Sequence, residues 1–476
     1  MSFRLLLKNS LLVDPANQRQ GLFDIGIAGG KIAAINTNLD KVRAEQVIDL
    51  AGRLTFPGLI DLHVHASQML GGRNAHRMLA RAGVTTALDL GGPAPEVLEV
   101  ARSDGAGLNL AFLDQIRPGY TVSSPEPSRG ELESFVEKAL DQGALGVKIL
   151  GGHFPLAPAS TREVIAAANR LGAYVAFHAG TTSGKKGLES FREAVGLAEG
   201  YQLHLAHINS YCRGQTYPGD PGREMREALE ILSQKHNLFS ESYLSALNGT
   251  GGKCQGGRPE SLSTINALIL GGYEGTEEGL ARAIAAGFAR VVSAAGGDNV
   301  LLSPEEGLRF WRQQQTEALV MFPVNPAITR FLGATAKDRS GRFILDALAT
   351  DGGGFPRNFL LEGGLALVKL QALTLEEFAL KASLQPARIL GLTGKGHLGE
   401  GADADVTVVD KCGNQAFLTV VGGEVIMYDG LVVGRGTCIL TTGRGARILT
   451  EKGLPHHSLK LEESGFYRGK AATLWL

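Results

Sequence analysis

The sequence predicts an α/β protein: a (β/α)8 (TIM) barrel over residues 56–390, flanked by a small β-sandwich built from residues 1–55 and 391–445. Three observations carry this. Strand-like apolar runs alternate with helical segments over roughly 300 residues, which implies a parallel sheet covered by helices. The β-rich segments at the two ends would each leave exposed edges if they stood alone, so they are expected to pair with each other. The first apolar run of the alternating region ends in His63-Val64-His65, where a barrel presents its chemistry.

In chain order, 11–14, 24–27 and 31–35 read as short strands, with Gly29-Gly30 as the turn between the last two. Gly58 to His65 reads as a buried strand. Strand side chains alternate faces, so imidazoles at i and i+2 leave the same side. Such a pair is half of a transition-metal site, suited to zinc, iron or nickel. Further strands are expected at 85–90, 146–150 and 173–178, and helices at 131–142 and 160–171, the latter capped by Ser160 or Thr161. Residues 250–345 carry Gly251-Gly252, Gly271-Gly272 and an amphipathic stretch near 277–289, and read as an insertion folding over the barrel mouth. After Leu390, β character returns at 405–410, 419–421 and 424–428. The tail, 446–476, is polar and has no predicted place.

Composition narrows the function. In 476 residues, 47 Lys and Arg balance 48 Asp and Glu, a net charge of -1 that gives no electrostatic case for nucleic acid or an anionic membrane. Hydrophobic residues make up 44% and mean hydropathy is +0.02, enough for a large core without an apolar run of membrane-spanning length. The short run at Leu5-Leu6-Leu7 is broken by Lys8, unlike a secretory signal. Cys212, Cys254, Cys412 and Cys438 have no CxxC spacing. A cytoplasmic, reduced, soluble protein of enzyme size is the expectation from composition; a small-molecule substrate and self-association as a homo-oligomer are expected besides.

Further residues carry chemistry. Lys148 lies within an apolar run, where a lysine is costly to bury unless modified, paired or bound. His178 closes another run before Ala179-Gly180. In Leu203-His204-Leu205-Ala206-His207 the two histidines lie three apart, so in a regular strand they face opposite sides. His207, nearer the C-terminal end, is taken to face the site and His204 to pack outside. Asp351 stands at a strand end before Gly352-Gly353-Gly354. Each signal alone has a structural explanation, such as a core histidine, a snorkelling lysine or an Asx-turn. Together they form an order: His-x-His, Lys, His, His, Asp.

That order resembles the amidohydrolase superfamily, over nearly the whole chain. There the His-x-His ends strand 1, the lysine strand 4, single histidines strands 5 and 6, and the aspartate strand 8. The resemblance implies metal ligands at His63, His65, Lys148, His178, His207 and Asp351, with Asp351 also catalytic. It further implies two divalent ions, zinc foremost, bridged by N6-carboxylated Lys148, and a metal-activated hydroxide whose proton Asp351 relays to a leaving nitrogen. Val13-Asp14-Pro15, Gly83-Val84-Thr85-Thr86 and Gly401-Ala402-Asp403-Ala404-Asp405 are similar to landmarks of the same family.

Within it, dihydroorotases carry an arginine two places after the His-x-His, where this chain has Ser67. Deaminases usually lack the strand-4 lysine and use a His-x-x-Glu acid, found here only at His397 to Glu400, beyond the barrel. Glu241-Ser242-Tyr243-Leu244 is similar to strand 7 of hydantoinases, while the insertion is more like that of N-acyl-D-amino-acid deacylases. The implied activity is hydrolysis of a cyclic amide or an N-acyl amino acid. A deaminase and a non-catalytic hydantoinase-related scaffold are the alternatives. Tyr243, Asn209 and Arg213, with Tyr211, follow strand ends and are candidate substrate contacts. Cys212 beside them has no neighbouring base and reads as a buried thiol.

Overall fold

The computed structural model describes residues 2–67 and 72–470. Its centre is a ring of parallel strands in chain order: β1 Leu59–His65, β2 Val84–Asp89, β3 Ala106–Ile116, β4 Gly146–Leu150, β5 Tyr174–His178, β6 Leu203–Leu205, β7 Leu238–Tyr243 and β8 Ala347–Ala349. Most of these strands are buried on both faces, which is why they read as continuous apolar runs rather than alternations. The ring closes around Asp351. β8 pairs with β7, and just beyond it Gly352 and Gly353 pair with Val64 and His65 of β1. Between these pairings the Asp351 N–H donates to the His63 carbonyl at 2.8 Å.

Helices cover the ring. The helix Arg129–Asp141 starts on Ser128, whose hydroxyl accepts from Glu131 N, and Pro221–Ser233 starts on Asp220, which accepts from Arg223 N. The caps expected at Ser160 or Thr161 are not used. That helix, Pro158–Arg170, begins earlier, because a proline at the first position already has helical φ and lacks the N–H a cap would satisfy.

The two ends of the chain meet in one nine-stranded sheet. The strand Phe3–Asp14 pairs with Arg19–Ala28 on one side and with two partners on the other: Ala44–Asp49 along 3–8, then Leu54–Pro57 at Leu11 and Leu12. The change falls at Asn9, where φ is 54° and the register shifts between Leu7 and Ser10. A bulge there bends the strand, so that its two halves pair with different partners within one sheet. Leu54–Pro57 continues into Val406–Val409 from the far end of the chain. Leu5, Leu7, Leu12, Ile25, Ile27, Val406, Val408 and Leu418 pack together as this unit's own core.

Two boundaries lie elsewhere than the sequence suggests. The C-terminal part leaves the terminal sheet after Leu431–Val432, and Gly436–Thr442 runs parallel to the first half of β3, with His456–Leu459 beside it. β3 is eleven residues long and β4 joins it only from Leu113, so its first half offers an open edge that this strand covers. The polar tail then lies against the barrel: Phe466 stacks on Tyr174, and Tyr467 Oη donates to Ala173 O at 2.6 Å. Residues 471–476 of that tail lie outside the described residues.

The insertion occupies 248–325 rather than 250–345, and it is a folded subdomain. The strands Asn248–Gly251, Arg290–Ala295, Asp298–Leu301 and Leu319–Phe322 form its sheet, and Leu268, Ile284, Trp311, Val320 and Phe322 its core. The next helix, Ala327–Thr335, already belongs to the barrel wall, where Thr329 O accepts from Asn209 Nδ2.

Candidate active site

The C-terminal ends of the strands bring together all six residues of the ordered set. His63, His65, Lys148, His178, His207 and Asp351 line one cavity of about 150 Å³. One ligand atom each from His63, His207 and Asp351 lie within 4.8 Å of one another. Asp351 Oδ1 is 2.9 Å from His65 Nε2 and 3.4 Å from His63 Nε2. The His207 ring lies 5.0 Å from that of His63 and 4.4 Å from that of His178. His178 in turn rests on the backbone of Gly152, where a Cβ would come within 2.1 Å of its Nε2.

Lys148 is buried, and its Nζ has no hydrogen-bond partner. Burial lowers its pKa to about 8, against the pull of Glu241 and Asp351. Such an amine is neutral often enough near physiological pH to act as a nucleophile, and an unsatisfied buried donor costs about 1–3 kcal/mol. His207 Nδ1 is likewise buried and unpartnered. Orphaned nitrogens among imidazoles and a carboxylate are the donor chemistry of a divalent-metal site, and the residues present fit one.

Beneath this layer lies a residue the sequence reading did not assign a role. Glu241 on β7 is buried and accepts from His63 Nδ1 at 2.6 Å, from the His207 backbone N–H at 2.8 Å, and from His204 Nε2. Its bond to His63 fixes the tautomer and leaves Nε2 free to bind a metal. Burial would raise its pKa, but the histidines around it hold it well below the usual range. The signal was legible: a glutamate inside Leu238-Phe239-Ser240-Glu241 is as conspicuous as Lys148 in its run.

His204 is not on the outer face. Ala176 on β5 is level with both Lys148 and His204, so His204 points into the barrel, where Tyr174 Oη donates to its Nδ1 at 3.0 Å. Both histidines face inward because β6 ends at Leu205 and His207 adopts a left-handed conformation, φ 34°. Alternation stops where the strand stops.

Asp351 is itself tightly held. Arg357 Nη2 lies 2.6 Å from its Oδ2, and Arg357 Nε donates to its carbonyl at 2.6 Å. Burial would raise its carboxyl, but the Arg357 guanidinium outweighs that and holds it well below the ordinary range. Asp61 ties the neighbouring residue down, accepting from Thr350 Oγ1 at 2.5 Å and from the His63 N–H at 3.1 Å. Burial pushes the Asp61 carboxyl up to about 7. Arg357 follows a glycine run in an irregular segment, where no sequence pattern marks it.

The three candidate substrate contacts part company. Arg213 lines the cavity. Its hydrogen-bond partners are neutral: Asn325 Oδ1 at 2.8 Å, Asn248 Oδ1 at 3.1 Å and Tyr243 Oη at 3.3 Å. Tyr243 is fully buried, its hydroxyl donating to Asn325 Oδ1, and it backs Arg213. Asn209 is a tether instead. Its Nδ2 holds the Ala327–Thr335 helix and its Oδ1 accepts from Tyr243 N, so both ends of the amide are used within the fold. Tyr211 lines the cavity and accepts from Ala179 N through its hydroxyl. Cys212 is buried, which pushes its thiol up and makes it a poor nucleophile.

A barrel whose rim gathers four histidines, a buried lysine and an aspartate has the donor set of a metal-dependent hydrolase. The chain belongs to the amidohydrolase family, whose sequence profile matches residues 54–428. It is 25% identical over 483 residues to a dihydroorotase of Pelotomaculum thermopropionicum, covering 90% of this chain and 100% of that protein. It is 27% identical over 441 residues to an allantoinase of Deinococcus radiodurans, covering 86% and 87%. In three dimensions it is similar to a D-aminoacylase with a binuclear metal centre, at a TM-score of 0.63 and 17% identity over 91% of this chain and 99% of that one. Among the described residues no helix is long and apolar enough to cross a membrane.

Proposed function

We propose that this protein hydrolyses a cyclic amide or an N-acyl amino acid at a two-metal site bridged by carboxylated Lys148. The observation that carries the proposal is the Lys148 amine, buried without a partner among His63, His65, His178, His207 and Asp351. Reaction of the neutral amine with carbon dioxide, releasing a proton, would give an anionic carbamate whose burial bound cations would offset. Those six residues would hold two divalent ions, and zinc suits their oxygen and nitrogen donors. Bound there, such ions supply a Lewis acid for the substrate carbonyl and acidify water.

The protein's own residues do the rest. Glu241 presents His63 through its Nε2. Arg357 occupies Oδ2 of Asp351, so Oδ1, which faces His65 Nε2 at 2.9 Å across the ligand cluster, is the oxygen that would take a proton from the attacking water and return it to the leaving nitrogen. A cavity of about 150 Å³ suits a small-molecule substrate, and we propose a cytoplasmic setting for the enzyme.

The test is metal analysis of protein purified without chelators, with a substrate screen. Hydantoins, dihydropyrimidines and lactams are compared with N-acetyl and N-formyl amino acids of both hands. Near-stoichiometric metal with amide hydrolysis is expected. Fewer than about 0.3 ions per chain, with no activity restored by zinc or manganese, would overturn the proposal. So would release of amino groups from heterocycles alone.

A further inference from the structure

The reactive cavity has two unlike flanks. On one, Arg213 faces it with no carboxylate partner among the described residues; its hydrogen bonds run only to Asn248, Asn325 and Tyr243. Asp351 is the one acidic residue among those lining this cavity, and Lys185 and Lys186 stand at its edge. On the other flank, sharing His65, Leu150, His153 and Gly249 as walls, lies a chamber of about 370 Å³ between the barrel loops and the insertion. Leu90, Phe154, Leu319 and Phe355 give the chamber apolar walls, and the exposed Lys253–Glu317 pair marks its outer edge. Gln115 on β3 also lines it, 4% exposed, with its Nε2 buried and unpartnered.

An amide carbonyl held at the metal ligands sends its two substituents in opposite directions. A hydantoin-sized ring would fill the reactive cavity and leave the chamber empty. We infer, resting on the hydrolase reading above, that the substrate is an N-acyl amino acid with a large apolar acyl group. Its carboxylate pairs with Arg213, its acyl group fills the chamber, and an oxygen on that group accepts from Gln115 Nε2. Hydrolysis consumes one water and breaks the acyl C–N bond. The products are the acyl carboxylate and the free amino acid, the proton from water passing through Asp351 to the nitrogen.

Gly251 makes the chamber testable. It shares a strand face with Gly249, whose Cβ would strike the Phe355 ring, yet a Cβ at Gly251 meets nothing within 4 Å and its φ is not positive. Gly251→Phe therefore starts from an unobstructed Cβ and projects its ring towards the chamber, and Gly251→Leu serves as a milder second variant. The wild type should prefer N-phenylacetyl and N-phenoxyacetyl amino acids to N-acetyl ones by about tenfold or more in kcat/KM, from apolar burial. Both Gly251 variants should lower that ratio about tenfold. Arg213→Gln should lower kcat/KM for the acids at least tenfold relative to their carboxamides.

Isothermal titration with a non-hydrolysable N-benzenesulfonyl amino acid gives a readout independent of turnover, and Arg213→Gln and Gly251→Phe should each weaken its binding. Binding weakened in this way without hydrolysis of any amide would uphold the two-flank inference and sink the hydrolase reading. Amide hydrolysis indifferent to acyl size, to the carboxylate and to these variants would overturn the inference and leave the hydrolase reading standing.

Discussion

Glu241 holds three histidine-bearing positions at once, so its loss should be felt at the metal rather than in the rate alone. Glu241→Gln is expected to lower metal affinity about 10–100-fold, the usual cost of removing a carboxylate behind a ligating histidine, measured by competition with a chelator. Lys148→Ala should lose at least one metal per chain and regain activity with short carboxylic acids that occupy the gap; an unmodified ammonium in a metal-loaded, active protein would refute the carbamate. Asp351→Asn keeps the shape and loses the proton carrier, so turnover of metal-replete protein should fall roughly 10²–10⁴-fold. At this scale the six set residues were legible because each interrupts or ends an apolar run. Arg357 was not, since its partner is chosen by how the chain folds back after Asp351.

At the scale of elements, the strand rule succeeded where strands are regular and failed where one ends. His63 and His65 share a face because β1 runs unbroken through both. Alternation through His207 would put His204 on the outer face, but β6 is only three residues long and the turn at His207 resets the direction of that side chain, so both face inward. Loop glycines act with similar force. Gly152→Ala should push His178 out of place and lower metal content while the fold persists, which metal analysis beside circular dichroism would show.

In the terminal sheet the buried Asp24 carboxylate, 2.5 Å from Lys8 Nζ, also accepts from the backbone N–H groups of Asn9 and Leu39. Burial works to raise the Asp24 carboxyl, but Lys8 and those N–H groups outweigh it and leave it below 3.8. A carboxylate depressed on folding stabilises the protein fully above its unfolded value and loses that contribution as pH falls through the folded one. Stability from this pair should therefore disappear below about pH 4. Asp24→Asn should cost about 3–5 kcal/mol at neutral pH and flatten the acid limb of the melting profile.

Across the whole molecule, the meeting of the chain ends was legible because unpaired edges need partners. The course of residues 436–470 was not, because a polar stretch gives no sign of which open edge it will cover. Phe466 is fully buried there, stacked 4.2 Å from the Tyr174 ring centroid. Phe466→Ala should destabilise the barrel by about 3–5 kcal/mol in denaturant titrations.

That stacking has a consequence for synthesis. From Phe466 an unbroken series of contacts climbs through Tyr174, His204 and Glu241 to His63, from the floor of the barrel to a metal ligand. A nascent chain can close its ring of strands once residue 353 has emerged. The floor beneath His63 arrives only with Phe466, more than a hundred residues later. Ribosome-bound chains halted between these points would be barrels still waiting for their base, holding metal more weakly than the released protein.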